Sequence, residues 1–267
     1  MFYASIDVGK LIKNSEIYDL GADFFPGMPH FPYHPPFLFS LAKKHGDLIY
    51  QGGRTSASCV FTTGGHTGTH IDAIGHHALD GKIYGDIEIS SHQDYREGLH
   101  RGGIEMTPPI IQRGLLLDIP KFKGVQILPE KYAVTDNDLK EAENLQGVEV
   151  KKNDVLLVRT GWFKHWPSPS EYPKNSAPGI GRSAASWMAH KQISLTGSDT
   201  IAYECLSTEC MDPGVHTILL VNNGIQIMEV LNLEELSEKS VYEFLFIALP
   251  LKILGGTGSP IRPVAIR

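Results

Sequence analysis

The sequence predicts an α/β protein rich in strands, and three observations carry that expectation. The runs Leu115–Leu117 and Val155–Val158 read as core strands. A helix with a start signal at Thr135 and a stop at Gly147 falls between them. No repeat, low-complexity tract or shift of composition divides the 267 residues, so a single domain over 1–267 is expected.

Composition bounds the function. Hydrophobic residues make up 42% and charged residues 20%, which is ordinary for a soluble globular chain. The formal net charge is −6 with no basic run, which argues against nucleic acid or an anionic membrane as partner. No stretch approaches the ~20 apolar residues of a spanning helix. Met1–Asp7 lacks a basic region followed by a long apolar run, so no signal peptide is expected. The three cysteines, Cys59, Cys205 and Cys210, are odd in number and unevenly spaced. They fit buried thiols in a reducing cytoplasm better than a disulfide framework.

In chain order, Ser15–Leu20 reads as a first strand. Phe25–Pro36 holds too many prolines for regular structure, yet its aromatic content suits a segment that packs over something. His30 and His34 lie in it and read more simply as surface residues than as ligands. Ser56–Thr63 is a β-rich run that leads through Gly64-Gly65 into the stretch His66–His77.

Four of the 12 histidines fall in that stretch, together with Asp72. His66, Gly68, His70, Asp72 and His76 share one parity, while Thr67, Thr69, Ile71 and Ala73 take the other. A strand would point the imidazoles and the carboxylate one way. A helix would keep His66 and His70 together but swing Asp72 off their face. The strand is therefore expected. Imidazole with carboxylate suits Zn²⁺, Mn²⁺ or Fe²⁺, and the lack of a nearby cysteine favours a catalytic over a closed structural site. The bland alternative is a polar rim in which His and Asp bond only to each other.

Leu79–Gly85 carries an Asp-Gly turn signal, and its Tyr84 could face the site or simply pack. Ile110–Asp118 is a strand, with Arg113 read as a solvated residue. Asp154–Thr160 is another, followed by an irregular excursion over 166–181. Arg182–His190 is expected as a helix leading to the strand Ile193–Gly197. Val215–Leu220 looks helical and ends near Asn223-Gly224, so His216 alone reads as an ordinary helix residue. In the strand Ile225–Val230, Glu229 shares parity with Ile225 and Ile227. A carboxylate on an apolar face must find a cation, a donor, a proton or a strand end open to water. A helix over Leu233–Lys239, the strand Tyr242–Leu249 and the loop Gly255–Pro260 follow. That loop has no lysine at the phosphate-binding spacing, and no Gly-x-Ser-x-Gly elbow exists for a serine hydrolase.

Together these residues resemble the cyclase family of metal-dependent hydrolases, which includes bacterial kynurenine formamidase, isatin hydrolase and a trans-dienelactone hydrolase. Its pattern His-x-Gly-Thr-His-x-Asp-x-Pro-x-His matches His66, Gly68, Thr69, His70, Asp72 and His76, and departs at Ile74. The likeness extends through Tyr18-Asp19-Leu20, Arg113–Asp118, Gly197–Thr200, His216, Glu229 and Gly256–Pro260. It implies a swivelling β/α fold with a strand-rich barrel-like core and peripheral helices, assembled as a homodimer or homotetramer.

The resemblance also implies a site. His66, His70 and Asp72 hold a first Zn²⁺ or Mn²⁺, Asp72 bridges to a second ion on His216 and Glu229 in two-metal members, and His76 is the general acid/base. The implied reaction is hydrolysis of a lactone, cyclic amide or small amide by metal-bound water. A metal-dependent lyase or dehydratase, or a non-catalytic metal- or ligand-binding module, are the rivals. The chain's length and insertions look closer to the dienelactone- and isatin-hydrolase-like members, which argues against N-formylkynurenine.

Overall fold

A computed structural model describes residues 15–169, 176–207 and 214–267. Met1–Asp7, Cys210 and part of the 166–181 excursion lie outside the described residues. Nine strands form one curled sheet, a half-barrel. They are β1 (Ile17–Asp19), β2 (His70–Asp72), β3 (Ile110–Asp118), β4 (Val155–Arg159) and β5 (Leu195–Ser198). The rest are β6 (Gln226–Glu229), β7 (Glu243–Ala248), β8 (Gly258–Pro260) and β9 (Val264–Ile266). Across the sheet they run β1-β9-β7-β3-β4-β5-β6-β2-β8. The centre, β3-β4-β5-β6, is parallel, and both flanks are antiparallel.

The apolar runs explain that centre. Leu115, Leu117, Leu156 and Val158 face one core, built with the helices Asp136–Gln146 and Arg182–Lys191. Leu116, Val155 and Leu157 face a second core with Ile71, Met228, Phe244 and Phe246. Strands buried on both faces need apolar side chains at successive positions, as these have. The helix Asp136–Gln146 starts at a capping box of Thr135 with Asp138 and stops at Gly147, whose φ of 67° suits glycine.

The β-rich run forms the strand Ser58–Thr62, paired with Leu38–Lys43 as an exposed hairpin outside the main sheet. Two other expectations need correcting. Cys59 lies on that hairpin and is exposed rather than buried, while Cys205 is buried. The Gly255–Pro260 loop includes a strand, β8, which covers the free edge of β2. No helix among the described residues is long and apolar enough to cross a membrane.

A buried brace ties the ends of β4 and β5. Asp199 accepts hydrogen bonds from Thr160 N, Thr160 Oγ1 and Gly161 N at 2.9, 2.6 and 2.7 Å. Burial pushes its carboxyl up to about 6 against the pull of these donors. In Asp199→Asn an amide NH₂ faces one of the three donors, and an unsatisfied buried donor costs about 1–3 kcal/mol. The urea midpoint should fall accordingly; an unchanged midpoint would remove the brace from the account.

Candidate metal centre

The centre forms where the parallel strands meet the antiparallel flank. The β2 register places His70 opposite Glu229 of β6 and Asp72 opposite Gly258 of β8. The expected long strand over the histidine stretch is only His70–Asp72, so parity aligns just these two side chains. Before them Gly68 turns the chain at φ 71°, and a Cβ there would meet the Phe24 ring at 2.5 Å. After them Ile74–His76 forms a 3₁₀ turn. His66 therefore arrives on a turn and His76 on a helical turn, while Ile71 points into the core.

Four side chains converge at the ends of β2 and β6. His70 Nε2 lies 3.5 Å from Asp72 Oδ1 and 3.6 Å from Glu229 Oε2. His216 Nε2 lies 3.6 Å from Asp72 Oδ2 and 3.5 Å from Glu229 Oε1. These are too long for hydrogen bonds, and among the described residues Asp72 Oδ2 is buried without a hydrogen-bond partner. Ligands about 2.0–2.2 Å from one ion stand at such spacings from each other. Two imidazoles and two carboxylates, buried and mutually unbonded, fit a divalent ion.

The tautomer of His70 agrees. Its Nδ1 donates to the Gly68 carbonyl at 2.7 Å, which leaves Nε2 with a lone pair facing the carboxylates. The backbone also holds Glu229 firmly. The next residue, Val230, has φ 55°, a left-handed conformation costly for a β-branched side chain. Val230 N bonds the Thr200 carbonyl at 3.0 Å, and its own carbonyl accepts from Thr69 Oγ1 at 2.6 Å, which fixes that turn.

Charge at the centre is strongly coupled. Burial works to raise Asp72, but His76, His216, His66 and His70 outweigh it and hold its carboxyl well below the usual range. Burial lifts Glu229. Burial also works to lower His70 and His216, yet the carboxylates beside them win and raise both. Two buried carboxylates thus draw positive charge to one point, as a cation site requires.

Other predicted residues surround this point. His66 Nδ1 lies 2.7 Å from Asp72 Oδ1 and its Nε2 2.9 Å from Thr257 Oγ1, so protein atoms meet both ring nitrogens. His76 stacks on His66 with centroids 3.9 Å apart, and ligand atoms of His66, Asp72 and His76 fall within 4.8 Å of one another. Burial pushes His76 down to about 2, so its imidazole is neutral. Tyr84 is not among the residues lining the cavity and packs at Gly224. Arg113 pairs with Asp154 and Glu243, and His30 Nδ1 meets the Phe31 carbonyl at 2.9 Å.

The structure adds residues that had no assigned role at the site. A cavity of about 260 Å³ over the centre is lined by Phe31, His34, His77, Ile201, Glu204 and Leu206 besides the predicted groups. His34 Nδ1 lies 3.0 Å from the His66 carbonyl, so the proline-rich segment does pack over the site. His77 stacks on His216 at 4.6 Å, and burial pushes it down to about 4. Burial works to raise Glu204, but His216 prevails and lowers it.

Residues 18–205 match the Cyclase family, more than half of the chain. The chain belongs to the Cyclase family. Across 97% of its length it is 26% identical to the isatin hydrolase of Roseibium aggregatum, covering 89% of that protein. It is also 26% identical to the kynurenine formamidase of Bacillus cereus, over 95% of this chain and 98% of that one. A crystal structure described as a novel cyclase superposes with a TM-score of 0.87 at 26% identity, covering 97% of this chain and 89% of the other. An isatin hydrolase bound to the product analogue thioisatinate shares the fold, with a TM-score of 0.74 at 24% identity over 97% of this chain and 95% of that one. As a Cyclase-family member with these relatives the protein is a hydrolase, and its His/Asp/Glu cluster fits a divalent ion. Both relatives are covered over most of their length, so coverage does not separate an isatin-hydrolase-like from a formamidase-like chain.

Proposed function

We propose that this Cyclase-family protein hydrolyses a small cyclic amide, lactone or amide in the cavity over Asp72. The observation that carries this reading is the set of four buried, mutually unbonded donors: His70, Asp72, His216 and Glu229. These would hold a divalent ion, Zn²⁺ or Mn²⁺, and His66 would add a fifth donor once its Nδ1 exchanged the Asp72 contact for the ion. Such an ion polarises a carbonyl oxygen and makes water more acidic.

The chain's own residues supply the rest. Phe31, Ile201 and Leu206 give the cavity an apolar lip against which a flat ring can lie, shielded from bulk water. His76, neutral and beside Asp72, can take a proton from attacking water and return it to the leaving nitrogen or oxygen.

The test is hydrolysis of isatin, small lactones and aryl formamides by protein loaded with Zn²⁺ or Mn²⁺, run in ¹⁸O-labelled water. The expected product is an acid carrying solvent oxygen. A chelator should remove activity and re-added ion restore it. A product without solvent oxygen would indicate a lyase, and activity untouched by complete metal removal would overturn the proposal.

A further inference from the structure

We infer that Glu204 is the positioning residue for His216, fixing its Nδ1–H so that Nε2 presents a lone pair to Asp72 and Glu229. The inference rests on the proposed ligand role of His216 and deepens it.

The geometry starts from a comparison of the two histidines. His70 has its tautomer set by the Gly68 carbonyl at 2.7 Å. Among the described residues His216 has no such carbonyl: its Nδ1 is buried without an aligned hydrogen-bond partner, and a Glu204 oxygen, Oε2, stands 3.2 Å from it. The same Oε2 accepts the His216 backbone N–H at 3.1 Å. One carboxylate therefore grips both the backbone and the ring of this histidine. A small ring rotation would align the second contact, and an imidazole held at Nδ1 by a carboxylate is a stronger, correctly oriented donor at Nε2.

Glu204 is itself held tightly. Tyr203, fully buried, adopts φ 52°, a left-handed conformation disfavoured without glycine. The Ile180 strand clamps that turn: Ile180 N bonds the Tyr203 carbonyl at 3.0 Å and Cys205 N bonds the Ile180 carbonyl at 3.1 Å. At Gly179 a Cβ would meet the Glu204 carbonyl carbon at 2.4 Å, so the two segments touch through backbone alone. Strain kept in place by such packing marks a residue whose direction matters.

The experiment measures Zn²⁺ affinity by chelator competition for the full chain and for Glu204→Leu, Glu204→Gln and His216→Ala. A long-range ¹H–¹⁵N imidazole spectrum of zinc-loaded protein reports which His216 nitrogen carries the proton. Expected are a loss of about 10- to 100-fold in Glu204→Leu, a smaller loss in Glu204→Gln, which keeps an acceptor, and an Nδ1–H tautomer only where an acceptor remains. Wild-type affinity in both Glu204 variants, alongside a loss in His216→Ala, would overturn the inference and leave the ligand role standing. Equal losses in Leu and Gln would also overturn it, by placing the effect on charge. Wild-type affinity in His216→Ala would instead remove the ligand role. If the leucine variant does not fold, the glutamine variant and the tautomer decide.

Discussion

Alanine at position 70 is expected to abolish hydrolysis and to empty the metal centre while the fold persists. His70 is one of two imidazoles that face both Asp72 and Glu229, and its Nε2 lies within 3.6 Å of each carboxylate. Its loss leaves those carboxylates with one imidazole between them. Charge stabilisation by a bound ion is worth several kcal/mol, so activity should fall by roughly three orders of magnitude or more. The fold should hold because the neighbours that pin β2 do not involve the ring: Met228 pairs with Ile71, and Ser259 with the same residue from the other side. Metal content, activity and far-UV circular dichroism measured on one preparation separate the possibilities. Full activity with native dichroism would remove His70 from the site. A collapsed spectrum would move the question to His70→Gln, which fills the same space without an imidazole.

How much of this could be read from the chain depends on distance along it. His70 and Asp72 were legible because a three-residue strand fixes their common face, whatever surrounds it. The core strands were legible for the same local reason, and so was the helix after Thr135, whose capping box is written within four residues. The extent of β2 was not, because a regular alternation of side chains cannot show that Gly68 turns beneath Phe24, 44 positions away. Gly258–Pro260 looks like a glycine loop and becomes a strand only because β2 lies beside it. Glu204 carried no signal at all, since its partner is twelve residues on and its direction is set by packing against Gly179. Glu229 stood between two readings, metal or water at a strand end, and its burial beside His70 and His216 favours the first.

His76→Ala should behave differently from His70→Ala: metal retained, hydrolysis slowed by about 10²- to 10⁴-fold, the usual contribution of a positioned acid/base. His76 lies in the 3₁₀ turn after β2, and its imidazole stacks on His66 rather than facing the pair of carboxylates that His70 and His216 share. Its pH behaviour supplies a sharper test. Burial, then the neighbouring His66, His77 and His216, hold the imidazole down to about 2, against the pull of Asp72 toward a higher value. A pKa depressed in this way keeps His76 in its neutral, proton-accepting form throughout pH 6–8, and any divalent ion nearby pushes in the same direction. The ratio of wild-type to His76→Ala rates should therefore stay level across that window. An ordinary imidazole, with a value near 6.5, would instead lose its advantage toward pH 6 as it became protonated. A ratio that shrinks on the acid side would show that His76 titrates like a surface histidine. Loss of metal along with activity would make it a ligand, and the proton would then have to be moved by another group at the cavity wall, such as His77, whose ring lies 4.8 Å from that of His76.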